Sequence, residues 1–286
     1  MLLICKGHRG AEKVMNVLVT GSSGYIATNM KQWLEKQHSD YTISNVSVRD
    51  VLPDLTGYHA VIHTAALVHA KETNENKQQF YEINSNLTQR LARKAKDNGV
   101  KQFIFLSTMA VYGKNGSIKN ETIITSTTKE DPQTNYAKSK LLAEQYLEEL
   151  NDECFKVYII RPPVIYGTNC PGNYGRLERL ANTLPIFPNI QNKRSMLHVS
   201  NLCQLVHLIL ESNSEERLFF PQDRDYYNTS LLFQKIRKRN GKHTLLNKTL
   251  GRFVTLFNLP VVNKVFGTLI YDKKMSEHFN NMYLVH

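Results

Sequence analysis

Short apolar runs alternate with amphipathic stretches from Asn16 onward. Asn16-Val-Leu-Val-Thr20 enters the turn Gly21-Ser-Ser-Gly24, and the pattern beyond it predicts a helix to about Gln37. Two short strands are expected at Tyr41–Ile43 and Val46–Val48, then a buried strand over His59–His63 entered from the turn around Gly57. Between the second strand and this third one the chain is too short for a helix. Residues 77–98 repeat apolar positions with a helical period: Phe80, Ile83, Leu87 and Leu91 share a face, and Gly99 stops the helix. Lys101–Leu106 is the next strand. A polar loop over Lys114–Asn135 leads into a helix from Tyr136 to about Asn151, and Phe155–Ile160 is a buried strand ended by Arg161-Pro-Pro163. Strands alternating with helices imply right-handed crossovers, so the expected class is α/β with a doubly wound parallel sheet. Beyond about residue 168 the pattern loosens. Helices are expected over Ser200–Glu211, with Leu202, Leu205, Val206 and Ile209 in one stripe, and over Thr229–Asn240, capped by Thr229 or Ser230. That third of the chain is expected to form a smaller mixed lobe.

Composition narrows the class. The chain has 286 residues, 41% hydrophobic and 21% charged, enough for one large α/β domain with an appended lobe. No apolar run is long enough to span a bilayer, so no membrane insertion is expected. Cys5, Cys154, Cys170 and Cys203 form no CxxC, which suggests neither a disulfide framework nor a zinc site and fits a cytoplasmic location. The net charge of +11 is densest at Lys235-Ile-Arg237-Lys238-Arg239 and attracts polyanions in general. No nucleic-acid-binding motif accompanies it, so a solvated helix face is the simpler reading. His63, His198 and His207 lie on or beside apolar runs with no Cys, Asp or Glu at ligand spacing, and are expected to be packed rather than metal-bound. Trp33 is read as a packing residue.

Two constellations carry chemistry. Gly21-Ser-Ser-Gly24-Tyr-Ile-Ala27 lies between a strand and a helix, where a dinucleotide-binding turn must lie. Gly21 permits the tight turn, Gly24 lets backbone amides approach a pyrophosphate, and small Ala27 lets the helix pack close to the sheet. Tyr136-Ala-Lys-Ser-Lys140 places a phenol and an ammonium one helical turn apart. The ammonium favours the phenolate, so the pair suits acid/base work on a sugar or alcohol hydroxyl.

With these motifs the chain resembles an extended short-chain dehydrogenase/reductase of the nucleotide-sugar epimerase/dehydratase family. The resemblance rests on Thr20–Ala27, His63-Thr-Ala-Ala66, Asn84, Leu106-Ser-Thr-Met-Ala-Val-Tyr-Gly113, Tyr136–Lys140, Arg161-Pro-Pro-Val-Ile-Tyr-Gly167 and Arg194-Ser-Met-Leu-His-Val199, in family order. Gly172-Asn-Tyr-Gly-Arg-Leu177 and Pro221-Gln-Asp223 add a likeness to capsular-polysaccharide 4-epimerases and UDP-4-keto-sugar reductases. It implies a Rossmann-like dinucleotide-binding domain over 15–167 and a substrate-binding lobe over 168–286, some of whose segments return to the main sheet. Residues 1–14 are expected to be a disordered leader.

The resemblance also implies roles. Tyr136 is the catalytic acid/base, Lys140 binds the nicotinamide ribose and lowers the phenol's pKa, and Thr108 bonds the reacting sugar oxygen. The implied cofactor set is Gly21, Ser23, Gly24, Tyr25, Ile26, Ala65, Ala66, Asn84, Ser107, Tyr136, Lys140 and Pro163, the last flanking the nicotinamide. Arg194 pairs with the substrate diphosphate through its planar fork, and Asn173 and Arg176 line the substrate cleft or cap its loop. A homodimer through the Tyr136 helix and the helix before it is implied as well.

Departures sharpen the reading. Dehydratases follow the Ser/Thr with an Asp-Glu pair; here Thr108 is followed by Met109-Ala110, which leaves no base for sugar C5. No acidic residue ends the second strand for a ribose 2′-hydroxyl, while Arg49 follows at once and suits a 2′-phosphate. NADP is therefore favoured slightly over NAD, although Asp50 beside Arg49 offers it another partner. A second diphosphate-binding Arg near the C-terminus is not placed, Arg252 and Lys273 being the nearest substitutes, and the lobe is expected to be trimmed. The expected activity is NAD(P)-dependent chemistry at C4 of a UDP-linked sugar for capsule or surface-glycan synthesis, leaning to a 4-ketoreductase. The alternatives are a 4-epimerase with retained NAD and a non-catalytic dinucleotide sensor, a class that usually lacks the Tyr or the Lys.

Overall fold

The structure, a computed structural model, describes residues 14–286 apart from 69, 213 and 258. The expected leader, all but Val14, lies outside the described residues. The chain runs β1 (Met15–Thr20), α1 (Tyr25–Gln37), β2 (Tyr41–Val46), β3 (Ala60–His63), α2 (Lys77–Tyr81), a π-helical turn (Glu82–Asn86), α3 (Leu87–Asp97) and β4 (Gln102–Leu106). A 3₁₀ turn (Met109–Tyr112), β5 (Thr122–Ile124), α4 (Asn135–Leu150), β6 (Lys156–Ile160) and β7 (Val164–Tyr166) follow. Then come α5 (Gly172–Thr183), β8 (Ile186–Pro188), β9 (Met196–His198), α6 (Val199–Glu211), β10 (Leu218–Phe219), α7 (Thr229–Arg239), β11 (Leu245–Asn247), α8 (Lys248–Leu256), α9 (Pro260–Phe266) and β12 (Leu269–Tyr271).

Six strands form one sheet in the order β10-β6-β4-β3-β1-β2, every pair parallel. A parallel sheet must be covered on both faces, and period-two alternation of side chains supplies both. Val17, Val19, Ile62 and Ile160 pack against Ala27, Met30 and Leu34 of α1 and Leu202, Leu205 and Val206 of α6. Leu18, Val61, Phe103 and Val157 face the other way, onto Leu91 and Ala95 of α3 and Ala143 and Leu147 of α4. From β1 the chain passes to β2 on one side and then to β3 on the other. The carboxyl ends of β1 and β3 are therefore the point at which the strand order reverses, where ligands bind in such sheets.

Several local expectations are corrected. Tyr41–Val46 is one strand, because all six residues pair in register with Met15–Thr20; Val48 is buried just beyond its end. No helix lies between β2 and β3, in keeping with the short span. The polar loop over 114–135 contains β5, whose partner is the distant β12. Helix α7 is capped by Asn228, whose side chain accepts the Leu231 N–H at 3.0 Å, while the Thr229 and Ser230 hydroxyls turn inward to the carbonyls of Val265 and Pro188. The helix over 77–98 carries the π turn, and Asn84 and Ser85 take inward positions there while Ile83 is only half-buried. In the C-terminal third, β10 joins β6 in the main sheet, and α6 covers that sheet. The remainder gathers around Phe187, Phe233 and Phe266, with Phe187 and Phe233 stacked at 3.8 Å.

Candidate active site

At the end of β1, Gly21 adopts φ +94°, a left-handed conformation that glycine tolerates, and its N–H bonds to the Val46 carbonyl at 2.9 Å. A Cβ there would meet Thr64 Oγ1 at 3.2 Å and the Ala65 backbone at 3.3 Å; one on Gly24 would meet the Gly21 carbonyl at 3.0 Å. Gly24 caps α1 without a side-chain bond, and the first turn holds no acidic residue. The first amides of α1 therefore have no side-chain cap and no acidic residue in the first turn to answer their positive end. Bare backbone and an uncapped helix start fit a dinucleotide pyrophosphate. Ser23 is exposed at the turn, and Asn45 steadies it by donating to the Ser22 carbonyl at 3.2 Å. The Tyr25 phenol points elsewhere, against Gly167, so Tyr25 offers the glycine turn its N–H. Ile26 packs on the core. Arg49 lies exposed beyond β2, Ala65 is buried beside the turn, and Ala66 is half-buried.

The carboxyl ends of β4 and β6 bring up the remaining groups. Tyr136 lies in the first turn of α4, whose start is fixed by Glu72: its carboxylate accepts the N–H groups of Asn135 and Tyr136 at 2.8 and 3.1 Å. Thr134 Oγ1 accepts the Ala137 N–H at 3.1 Å. Burial pushes the Tyr136 phenol up to about 12, and its hydrogen bond with Thr108 offsets part of that rise. Lys140 Nζ donates to the Leu106 carbonyl at 2.7 Å and lies 4.4 Å from the Phe105 ring centroid. Burial lowers it to about 7, with the Glu144 carboxylate pulling the other way. The expected lowering of the phenol by Lys140 is thus not seen: the ammonium is committed to Leu106, and burial dominates. Tyr136 stands as a protonated acid at neutral pH. Thr108 has extended backbone and accepts the Ala110 N–H at 3.1 Å, while Pro163 is buried just beyond β6.

One turn past Lys140, Glu144 is buried and bonded to Ser107 Oγ. Arg161 grips it with Nε at 3.2 and 3.1 Å from its two oxygens and with Nη2 at 2.6 Å from Oε2. Arg161 Nη1 reaches Tyr112 Oη at 2.9 Å and Glu130 at 2.7 Å. Burial raises the Glu144 carboxyl, and the Arg161 bonds recover only part of that rise. Ser107 therefore serves this buried pair.

A second chain of bonds joins the glycine turn to α4. The Thr88 hydroxyl donates to the Asn84 carbonyl at 2.8 Å, so it accepts from His63 Nε2 at 2.9 Å. His63 Nδ1 is then the acceptor for Thr20 Oγ1 at 2.7 Å, and Thr20 Oγ1 accepts the Ala65 N–H at 3.3 Å. Asn84 accepts the Leu67 N–H at 2.7 Å and donates to Ser139 Oγ at 3.0 Å. Asn84 is therefore a bracket between the 64–67 segment and the Tyr136 helix.

This tautomer makes His63 neutral, and burial with the nearby Lys140 charge lowers its pKa to about 3. The unfolded chain protonates near 6.5, so between the two values it binds one more proton. Stability contributed by neutral His63 is complete above 6.5 and is lost as pH falls toward 3. At pH 5 the loss is about 2 kcal/mol. Urea unfolding of His63→Gln at pH 7 and pH 5 should show that much less acid sensitivity than the parent; equal sensitivity would contradict the assignment.

On the lobe side, Arg194 is half-buried, exchanges backbone bonds with Tyr227 at 2.9 Å and donates to the Lys264 carbonyl. Burial lowers its pKa, and no carboxylate pairs with it among the described residues. Asn173 and Arg176 are exposed three residues apart on the first turns of α5. Lys273 Nζ binds the Asp223 and Arg224 carbonyls and lies 4.1 Å from the Tyr226 ring centroid, whereas Arg252 is exposed on α8. Asp223 ties the lobe together, accepting from Tyr166 and Tyr227 hydroxyls, the His198 N–H and Asn201. Burial and the stacked His286 ring hold His198 down at about 4. His207 stacks on His38 and bonds Tyr41, and Trp33 packs beside both. No cluster of metal-ligating side chains occurs among the described residues.

Sequence reading missed Glu72, the Glu144–Arg161 pair and Asp223. For Glu144 a signal existed: Tyr136, Lys140 and Glu144 recur every four residues, on one face of a helix.

Comparison with known proteins shows the family of the chain and supports its fold. The sequence model of the NAD dependent epimerase/dehydratase family matches residues 17–219. The chain is 32% identical to a UDP-glucose 4-epimerase of Vibrio cholerae over 94% of its own length and 90% of that protein's. Its fold matches the UDP-glucuronic acid 4-epimerase of Bacillus cereus in complex with NAD at a TM-score of 0.70, 18% identity and 92% of each chain. It also matches the dTDP-4-dehydrorhamnose reductase of Bacillus anthracis in complex with NADP at 0.67, 19% identity and 90% of each chain.

Proposed function

We propose, for a chain that belongs to the NAD dependent epimerase/dehydratase family, that it adds hydride and proton across the 4-keto group of a UDP-linked sugar. The observation that carries this reading is the placement of the Tyr136 phenol, in the first turn of α4, beside Thr108 just past the end of β4. Thr108 orients the C4 oxygen, and Tyr136 gives that oxygen its proton, so no alkoxide charge accumulates. The nicotinamide, when bound, supplies the hydride. The glycine turn and the start of α1 would hold its pyrophosphate, Ala65, Ala66 and Pro163 its flanks, and Lys140 its ribose. Arg194, a cation with no carboxylate partner among the described residues, suits the sugar diphosphate. Dehydration at C5–C6 lacks a base, because the residues after Thr108 are Met109 and Ala110.

Exposed Arg49 and the absence of an acid at the end of β2 support NADP as the cofactor. The same reading assigns the enzyme to capsule or related surface-glycan synthesis in the cytoplasm, as a homodimer through α3 and α4. A retained-NAD 4-epimerase is the second reading, favoured by the likeness to the Vibrio cholerae epimerase. Mixing purified protein with a UDP-4-keto sugar and NADPH separates the two. Stoichiometric NADPH loss supports the reductase. Interconversion of UDP-hexoses with no net cofactor change, by protein carrying bound NAD, supports the epimerase. Neither reaction would remove both. Arg194→Ala should raise KM for the UDP-sugar about 10- to 100-fold and leave KM for NADPH unchanged. An unchanged KM for the sugar would take Arg194 out of the substrate site.

A further inference from the structure

Helices α8 and α9 form a corner of the lobe whose apolar side chains face outward. Phe253 is 58%, Leu256 78% and Val261 63% exposed, and Phe257 and Leu259 between them are about half exposed. This exposure is built into the fold. Gly251 presses α8 directly onto the chain at Asn189, where a Cβ would come within 2.3 Å of that carbonyl. Asn247 caps α8 by accepting the Leu250 N–H at 2.8 Å, and Val254, Val262 and Phe266 anchor the two helices in the lobe core. With one side of each helix fixed, the other must present Phe253, Leu256 and Val261 to its surroundings.

The stretch of chain that carries this corner has charge of one sign. Between Asp225 and Asp272 the chain has eight Lys and Arg and no Asp or Glu. Lys248 and Arg252 on α8 and Lys264 on α9 are exposed, and no carboxylate pairs with them among the described residues. Aromatic and aliphatic side chains beside unpaired cations are the pattern of helices that lie in the interface of an anionic bilayer. A second copy of the same patch would set these cations against themselves, since a two-fold contact is self-complementary. Protruding aliphatic groups have no role in gripping nucleic-acid phosphates.

We propose that the α8–α9 corner docks the enzyme peripherally on an anionic membrane surface, with Phe253, Leu256, Phe257, Leu259 and Val261 entering the interface and Lys248, Arg252 and Lys264 meeting lipid headgroup phosphates. Arg194 donates to the carbonyl of Lys264, so the anion-binding side of the catalytic lobe lies against the docked helix. Docking would hold the site next to the membrane without any spanning segment; no helix among the described residues is long and apolar enough to cross one.

The test is co-sedimentation of the full chain with vesicles of phosphatidylcholine alone or mixed with phosphatidylglycerol, at near-physiological salt. Binding to the mixed vesicles and not to the neutral ones is expected. Phe253→Ser with Leu256→Ser should weaken it on the order of tenfold or more, and Lys248→Glu should weaken it as well. Turnover of a soluble UDP-sugar should be unchanged in both, which separates docking from the catalytic reading and reports an intact fold. Three results would overturn the proposal: no binding to mixed vesicles, binding that survives the Phe253/Leu256 change and so reflects net charge alone, or a solution dimer dissociated by that change.

Discussion

Tyr136→Phe should lower kcat by about 10²- to 10⁴-fold, the range for loss of a positioned general acid. The substitution keeps the ring and removes only the hydroxyl, so the start of α4, fixed by Glu72 and Thr134, should survive. Cofactor affinity should change little, because the groups suited to the pyrophosphate are backbone amides of the glycine turn. The loss should appear in kcat more than in KM, since the proton moves only as the transition state forms. Thr108→Val tests the partner and should be milder, because it leaves the acid in place. The wild-type rate should be flat across neutral pH on account of the phenol itself, which burial holds at about 12. Stopped-flow single turnovers of Tyr136→Phe at the parent rate would contradict its role.

The largest stability effect is expected at Arg161. Arg161→Ala leaves the Glu144 carboxyl buried with the Ser107 hydrogen bond but without its guanidinium partner, and breaking such a pair costs about 3–5 kcal/mol. Glu144→Ala should cost a similar amount, because the guanidinium would keep Glu130 and Tyr112 but lose its main counter-charge. Replacing both by apolar residues of similar volume, Arg161→Met with Glu144→Leu, should recover most of the loss. Urea unfolding of the four proteins measures this cycle. Losses under about 1 kcal/mol for both single variants would mean that water reaches the pair. Because Glu144 also opposes the burial of Lys140, Arg161→Ala should carry a secondary fall in kcat.

The legible parts of this molecule are those where chemistry follows the local chain. Gly21 and Gly24 announced a turn at a strand end, and that turn has a left-handed glycine and leaves little room for a Cβ at either position. Tyr136 and Lys140 share one face of α4 because a helix repeats every 3.6 residues. The alternation of Val17 and Val19 with Leu18 foretold a sheet covered on both faces. What escaped was non-local. β5 exists because residues 269–271 come to lie beside it, a pairing that no local period encodes. The π turn that puts Asn84 and Ser85 inward is a one-residue slip between α2 and α3, invisible to a helical wheel. The direction of the phenol's pKa shift was misread for the same reason. Sequence shows that a lysine is adjacent, but not that its ammonium is tied to the Leu106 carbonyl and the Phe105 ring. Burial is a property of the packed protein, and here it outweighs the neighbour.

The most direct measurement is the fate of label from a reduced nicotinamide deuterated at C4, mixed with a UDP-4-keto sugar and followed by NMR of the product. Deuterium should appear at sugar C4 in one configuration, and its incorporation should slow about 10²- to 10⁴-fold in Tyr136→Phe. Label at any other carbon, or incorporation in Tyr136→Phe as fast as in the parent, would contradict hydride delivery to C4 under a tyrosine proton donor.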